Sequence, residues 1–121
     1  MIKTITRDEL VRLRSTDMRV RIVDVLSKES YAQEHVQGAI SIPLDEVEQR
    51  APVALKKNEK IVVYCGSFDC QASTRAAEKL ERLGYNNVLL YKGGLKDYKE
   101  GNLPLEGALH AREQKTTCAT C

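Results

Sequence analysis

The chain has 121 residues, of which 42% are hydrophobic and 30% are charged, and its formal net charge is +2. This length suits one domain that buries a single core without disulfide bonds, and the composition argues against disorder and low-complexity repeats. Lysine and arginine form no dense block and phenylalanine occurs once. We therefore expect no nucleic-acid partner.

The N-terminal residues carry charges where a signal peptide would need an apolar core. No stretch approaches the ~20 consecutive apolar residues of a membrane span. We therefore expect a cytoplasmic protein without a membrane partner. In a reducing compartment, the four cysteines more often serve catalysis, redox chemistry or metal binding than structural disulfide bonds.

A helix is predicted close to the N-terminus. Thr6 and Glu9 have the spacing of a capping box, and Ile5 and Leu10 have that of a hydrophobic staple around the same cap. We expect this helix to run for about ten residues and to end near residues 15–17.

Four β-rich runs follow, at residues 20–25, 39–42, 61–64 and 88–91. The last two are apolar without alternation, which is typical of strands covered on both faces. Between them, alanines and leucines recur at helical spacing from Ala72 to Leu83, and Gly84 supplies a residue that ends a helix. This βαβ unit predicts an α/β protein whose parallel sheet is covered by helices.

Cys65 directly follows the run 61–64, at the carboxyl end of a strand, where open α/β sheets bind ligands. The loop that leads from it to the next helix consists of Gly66, Ser67, Phe68, Asp69, Cys70 and Gln71. Backbone N–H groups of such a loop can converge and stabilise an anion at the helix N-terminus. We expect them to lower the pKa of Cys65, because an ordinary pKa of about 8.5 leaves only a small thiolate fraction at neutral pH. The alternative is a cysteine that only packs in the core.

Several motifs resemble those of rhodanese-like domains. The sequences IVDV at 22–25 and EHVQGAISIP at 34–43 are similar to the first signature of that family. VVYC at 62–65, GYNNV at 84–88 and YKGGL at 91–95 are similar to its active-site half, and NLPLE at 102–106 is similar to its closing segment. The order and spacing of these motifs identify residues 1–107 as a rhodanese-like domain.

The resemblance implies a three-layer α/β/α fold with a five-stranded parallel sheet. It also implies a sulfurtransferase in which Cys65 carries sulfane sulfur as a persulfide. The donor would be thiosulfate, polysulfide or a protein persulfide, and the acceptor a thiol or cyanide. Residues 66–71 would form the substrate-binding loop, and neither a metal nor a cofactor is implied.

The chain departs from the family pattern in three respects. The loop after Cys65 is longer than in ordinary single-domain members, and it contains Asp69 but no arginine or lysine before Arg75. Leu26 and Tyr98 occupy positions where members often have arginine and tryptophan. Because the dianion thiosulfate would need a cation, polysulfide or a protein persulfide is the more plausible donor.

Two other functions remain open. Phosphatases and arsenate reductases of the same fold have an arginine at the sixth position after the cysteine, where it clamps a tetrahedral anion. This chain has Gln71 at that position. The other alternative is a non-enzymatic module that binds or regulates partners, but such modules typically lack the cysteine.

Three further cysteines have candidate roles. Cys70 lies five residues after Cys65 and is a possible resolving thiol, which would attack the persulfide, release hydrosulfide and leave a disulfide. The alternative is a small buried residue where the loop meets the helix. Residues 108–121 are expected to form a flexible C-terminal tail, in which Cys118 and Cys121 either accept sulfur or have no role. They lack the additional ligands of a zinc site.

Three polar residues complete the set of candidates. Lys92, beside Gly93 and Gly94, is a possible cation for the substrate, with an exposed lysine as the alternative. His35 is interpreted as part of a structural turn rather than as a general base. Asp24 is expected to fix loops by hydrogen bonds.

Overall fold

The computed structural model of the protein describes residues 2–16 and 19–109. In chain order its elements are β1 (Lys3–Ile5), α1 (Arg7–Thr16), β2 (Arg21–Asp24), α2 (Lys28–Gln33), β3 (His35–Val36), β4 (Ile40–Ser41), a 3₁₀ turn (Leu44–Glu46), α3 (Val47–Ala54), β5 (Ile61–Tyr64), α4 (Ala72–Arg82), β6 (Val88–Tyr91), α5 (Gly94–Glu100) and β7 (Leu105–Glu106). The predicted tail from residue 110 onward, with Cys118 and Cys121, lies outside the described residues.

The main sheet has five strands in the order β1-β6-β5-β2-β4. Every neighbouring pair in it is parallel, with Val23 opposite Val63 and Val63 opposite Leu90. This confirms the predicted five-stranded parallel sheet, and β5 is its central strand. The short strands β3 and β7 form a separate antiparallel pair.

Helices cover both faces of the sheet. Ile61 and Val63 of β5 pack in one core cluster with residues of α3 and α4, whereas Val62 and Tyr64 pack in a second cluster with Leu10 of α1 and Tyr98 of α5. Successive side chains of a strand point to opposite faces, so each face of β5 needs apolar residues. The arrangement confirms the three-layer α/β/α fold and explains why the run 61–64 does not alternate.

The ends of two helices agree with the sequence signals. Thr6 N–H donates to Glu9 Oε1 at 2.9 Å and Glu9 N–H donates to Thr6 Oγ1 at 3.1 Å, which forms the predicted capping box before α1. After α4, Gly84 has a φ of +100° and Tyr85 N–H donates to Leu80 O at 3.1 Å. This hydrogen bond ends α4 where the sequence predicted.

No helix within residues 2–16 and 19–109 is long and apolar enough to cross a membrane.

Candidate active site

Cys65 follows the central strand and continues its alternation. Its side chain therefore points toward α4, into the same core cluster as Ile61 and Val63, and the residue is 0% exposed. Its carbonyl oxygen accepts the N–H of Leu95 at 2.8 Å, and that of Gly66 accepts the N–H of Lys96 at 2.8 Å. The first turn of α5 thus fixes the start of the loop.

Gly94 allows α5 to approach this loop. It has a φ of +68°, and an added Cβ would lie 2.6 Å from the carbonyl oxygen of Cys65 and 2.9 Å from the nitrogen of Ser67. Any other residue would combine an unfavourable left-handed backbone with a clash against backbone atoms. A glycine is therefore required where α5 meets the loop.

The loop folds back so that Cys70 returns to Cys65. The N–H of Cys70 donates to Ser67 O at 3.1 Å and closes a turn. As a result, Cys65 Sγ lies 3.5 Å from the carbonyl oxygen of Cys70 and 3.3 Å from the hydroxyl oxygen of the buried Ser73. Both cysteines are free thiols.

The pKa of the Cys70 thiol is lower than that of an ordinary cysteine. Its partial burial alone would raise the pKa of Cys70, but hydrogen bonds outweigh this effect and lower it. The donors are the Cys65 thiol and the backbone N–H groups of Gly66, Ala72 and Ser73. These hydrogen bonds favour the thiolate form of Cys70.

Burial raises the pKa of Cys65, and its hydrogen bond to the Cys70 sulfur raises it further. The hydroxyl and the N–H of Ser73 act in the opposite direction without reversing the shift. The expected lowering of the pKa of Cys65 is thus wrong, because burial and the neighbouring Cys70 outweigh the hydrogen bonds from Ser73 in the first turn of α4.

Lys92 lies beside the loop, as its position after β6 suggests. Its Nζ donates to the carbonyl oxygen of Cys70 at 3.4 Å and to Thr74 Oγ1 at 3.1 Å. These contacts tie the end of the loop to β6. Phe68, Asp69 and Gln71 are exposed, with Phe68 at 61%, and form the outer rim of the loop.

The two remaining polar candidates have structural contacts. The ring of His35 stacks on Tyr31 with centroids 3.7 Å apart, and its Nδ1 lies 2.7 Å from Tyr31 O. The buried Asp24 accepts hydrogen bonds from Tyr64 Oη at 2.7 Å and from the N–H of Leu26 at 2.9 Å. These contacts agree with the interpretation of both residues as structural.

Among residues 2–16 and 19–109, no three histidine, cysteine, aspartate or glutamate side chains are grouped so as to hold a metal ion.

The family of the chain follows from comparison with known proteins. The family model of the rhodanese-like domain matches residues 6–101. The chain belongs to the rhodanese-like domain family. This rhodanese-like domain is 47% identical over 76 residues to the thiosulfate sulfurtransferase PspE of Escherichia coli K12, a match that covers 62% of the chain and 70% of PspE. Two other relatives are longer, and the matches cover only 43% and 45% of their length.

Solved structures show the same fold. A rhodanese-like domain from Anabaena sp. superposes with a TM-score of 0.82 at 28% identity, covering 93% of this chain and 84% of that one. A human single-domain sulfurtransferase superposes with a TM-score of 0.71 at 27% identity, covering 80% of this chain and 95% of that one. A relative found by sequence and a relative found by structure are thus both named as sulfurtransferases.

Two residues of the site were not among the sequence candidates for it. Ser73 has no distinguishing signal, because a serine in the first turn of a helix is ordinary and its contact with Cys65 depends on the folded loop. Gly94 had a signal, since a pair of glycines follows a buried strand directly, and such a pair often marks close approach of two backbones. The structure brings together Cys65, Cys70 and Lys92 from the predicted set.

Proposed function

We propose that this domain is a sulfurtransferase that carries sulfane sulfur as a persulfide on a cysteine of the loop that starts at Cys65. The observation that carries the proposal is the pair of free thiols in the loop after the central strand, where Cys65 Sγ lies 3.5 Å from Cys70 O and 3.3 Å from Ser73 Oγ. The names of PspE and of the human relative support the same class of reaction.

The chemistry needs only a thiolate and a site for an anion. A thiolate attacks the outer sulfur of a donor, and the N–H groups that stabilise the thiolate also stabilise the resulting persulfide anion. An acceptor thiol or cyanide then removes the outer sulfur and restores the thiolate. Both thiols must be reduced before each cycle, which favours a reducing compartment such as the cytoplasm.

The charges around the loop favour polysulfide or a protein persulfide over thiosulfate as the donor. Asp69 is exposed on the rim, and residues 66–74 include no lysine or arginine. The ammonium of the neighbouring Lys92 already donates to Cys70 O and Thr74 Oγ1. A dianion would therefore approach an acidic rim with little cationic compensation.

A phosphatase or arsenate reductase is disfavoured. Those enzymes neutralise a tetrahedral dianion with an arginine, whereas Gln71 is uncharged and exposed here. A module that only binds partners would not need free thiols in this loop. The test that follows includes this alternative as one of its outcomes.

The test measures the transfer of sulfur from polysulfide and from thiosulfate to cyanide, with thiocyanate as the product. We expect the wild-type protein and the tail control Cys118→Ser/Cys121→Ser to be active, and Cys65→Ser/Cys70→Ser to fall to the uncatalysed rate. Polysulfide is expected to give the higher kcat/KM. A fully active Cys65→Ser/Cys70→Ser protein would contradict the proposal, and an inactive wild-type protein would favour a binding module.

A further inference from the structure

We propose that a cavity at the amino edge of the sheet binds a compact polyanion with several phosphate groups. This amino-edge cavity lies where β2 and β5 begin, at the end of the sheet opposite to Cys65. The inference is therefore independent of the proposed sulfurtransferase function. It follows from the size of the cavity, from the charges that line it and from the segments that hold those charges together.

The amino-edge cavity has the size of a small-molecule site. Its volume is about 870 Å³, and pockets for small ligands usually have roughly 300–1,000 Å³. The lining comes from the end of α1, the start of β2, the turn before β4 and the connection between α3 and β5. A compact ligand in this cavity is therefore within reach of segments from several sides at once.

The length of the sheet separates this cavity from the loop with the two thiols. Strands β2 and β5 are parallel, with Arg21 opposite Ile61 at one end and Asp24 opposite Tyr64 at the other. The cavity is lined by Arg21 and by residues before β5, whereas Cys65 follows the carboxyl end of β5. Four residues of a strand span about 13 Å. The cavity is thus a second site and not an extension of the first.

Positive charge dominates the lining. The described residues around the cavity include one carboxylate, Glu59, and five cationic side chains, which are Arg14, Arg19, Arg21, Lys56 and Lys60. They give an excess of four positive charges, although the formal net charge of the whole chain is only +2. Residues 14–21 and 56–60 are far apart in the sequence, so this cluster forms only in the folded protein.

Hydrogen bonds to the backbone hold the cationic residues in place. The N–H of Arg21 donates to the carbonyl oxygen of Lys60 at 2.8 Å, which fixes these two residues side by side. Arg14 Nη2 donates to the carbonyl oxygen of Gln37 at 2.6 Å, so this guanidinium is held against the turn before β4. The charges are therefore presented by a preformed frame, which lowers the cost of binding.

The charges of the cavity repel one another. Glu59 Oε1 accepts the backbone N–H of Lys56 at 2.8 Å. The side chains of Arg21 and Lys56 form no salt bridge to a carboxylate in the described part of the chain. Repulsion between like charges destabilises the folded state, and a bound anion compensates it. Binding of a polyanion should therefore raise the melting temperature of the protein.

The density of positive charge favours phosphate groups over carboxylates. A chain of three phosphate groups carries about four negative charges at neutral pH, which matches the excess charge of the lining. A carboxylate carries only one charge, so an acidic peptide of equal charge would be longer and less compact. The guanidinium groups of Arg14 and Arg21 can in addition bind phosphate oxygens in a bidentate manner.

The test titrates the full chain with inorganic tripolyphosphate at low salt, where screening is weak. Calorimetry measures the affinity and backbone amide NMR shifts locate the site. Arg21→Gln/Lys56→Gln removes two charges from the cavity. The matched control Lys28→Gln/Arg50→Gln removes two charges outside it, from side chains that form salt bridges to Glu46. ATP is titrated as a triphosphate attached to a nucleoside, and hexaglutamate as a polyanion of carboxylates.

We expect tripolyphosphate and ATP to shift the amide signals of residues 19–22 and 56–60 and to raise the melting temperature. Each charge removed from the cavity should lower the affinity for tripolyphosphate about tenfold, because a hydrogen bond to a charged group is lost. The control should bind as the wild-type protein does. Sulfur transfer to cyanide should be equal in both variants, which keeps this test separate from that of the proposed function.

Three results would overturn the proposal. Amide shifts of the wild-type protein that lie outside residues 19–22 and 56–60 would place the anion elsewhere, whether or not the variants fold. Equal losses of affinity in the two variants would show an attraction to net charge alone. Tighter binding of hexaglutamate than of tripolyphosphate would contradict the assignment to phosphate groups.

Discussion

At the scale of single residues, Ser73 connects the two thiols. It is 0% exposed, its hydroxyl oxygen lies 3.3 Å from Cys65 Sγ, and its N–H helps to lower the pKa of Cys70. A buried hydroxyl in this position gives the Cys65 thiol a polar partner within an otherwise apolar cluster, where an unpaired polar group would be costly. Ser73 therefore lowers the pKa of both thiols, although burial outweighs its effect at Cys65.

The opposite pKa shifts of the two thiols predict different rates of alkylation. Thiolates are the reacting species, and the pKa of Cys70 is lowered while burial raises that of Cys65. The alkylation rate of Cys70 should therefore reach half its maximum at a pH below about 8.5, which is the pKa of an ordinary cysteine. Cys65 should react slowly and only at higher pH.

Alkylation by iodoacetamide between pH 5 and 10, with fragment masses assigning the label to Cys65 or to Cys70, measures both profiles. The same protein unfolded in urea is the control, because its two thiols lose the contacts of the loop and should have similar profiles. A folded-state midpoint for Cys70 at or above that of the unfolded chain would show that the N–H groups do not stabilise its anion.

At the scale of the elements, α5 shapes the loop that connects β5 to α4. Its N-terminal N–H groups bind the carbonyl oxygens of Cys65 and Gly66. This contact is possible because Gly94 has no side chain between the two backbones. The geometry of the site thus depends on an element that comes after α4 in the chain.

The substitution Gly94→Ala should displace the loop and reduce sulfur loading. It places a Cβ about where backbone atoms of residues 65–67 now lie, and its left-handed backbone costs about 1–2 kcal/mol. The matched control is Gly84→Ala, because Gly84 also has a positive φ but faces only the flexible side chain of Lys57. Both variants should lower the free energy of unfolding in urea titrations, and only Gly94→Ala should impair loading. Equal loading by both variants would contradict this role of α5.

The same elements show how far the sequence predicts the structure. The bounds of β5 and β6 and the first residue of α4 agree with the predicted runs, because apolar runs and helical periodicity are local signals. Strand β1 has only three residues, two of them exposed, and α2 has no buried residue. Neither carries a periodic apolar pattern that would predict it.

The site was predicted less completely than the fold. The sequence brings Cys65, Cys70 and Lys92 to one edge of the sheet, but it does not determine the pKa shifts of the two thiols. The path of the loop that sets these shifts depends on the turn between Ser67 and Cys70 and on contacts with α5, which is distant in sequence. Local spacing therefore predicts which residues meet, and not how their thiols titrate.

At the scale of the whole molecule, the fold separates a rigid core from a reactive edge. The central strand β5 is buried on both faces and ends at the loop, so the sheet fixes one end of the site and α4 fixes the other. Helices on both faces leave the carboxyl edge of the sheet as the place where substrates approach. The exposed Phe68 and Asp69 lie on that edge, in the rim that a donor or acceptor meets first.

The intact mass of the protein after brief incubation with polysulfide tests the central claim most directly. The measurement uses the Cys118→Ser/Cys121→Ser background, so that only the two loop thiols can react. We predict a gain of one sulfur atom that disappears when cyanide is added, and no gain when Cys65→Ser/Cys70→Ser is introduced as well. The absence of any gain in the folded protein, or a gain that persists without both loop thiols, would contradict the account.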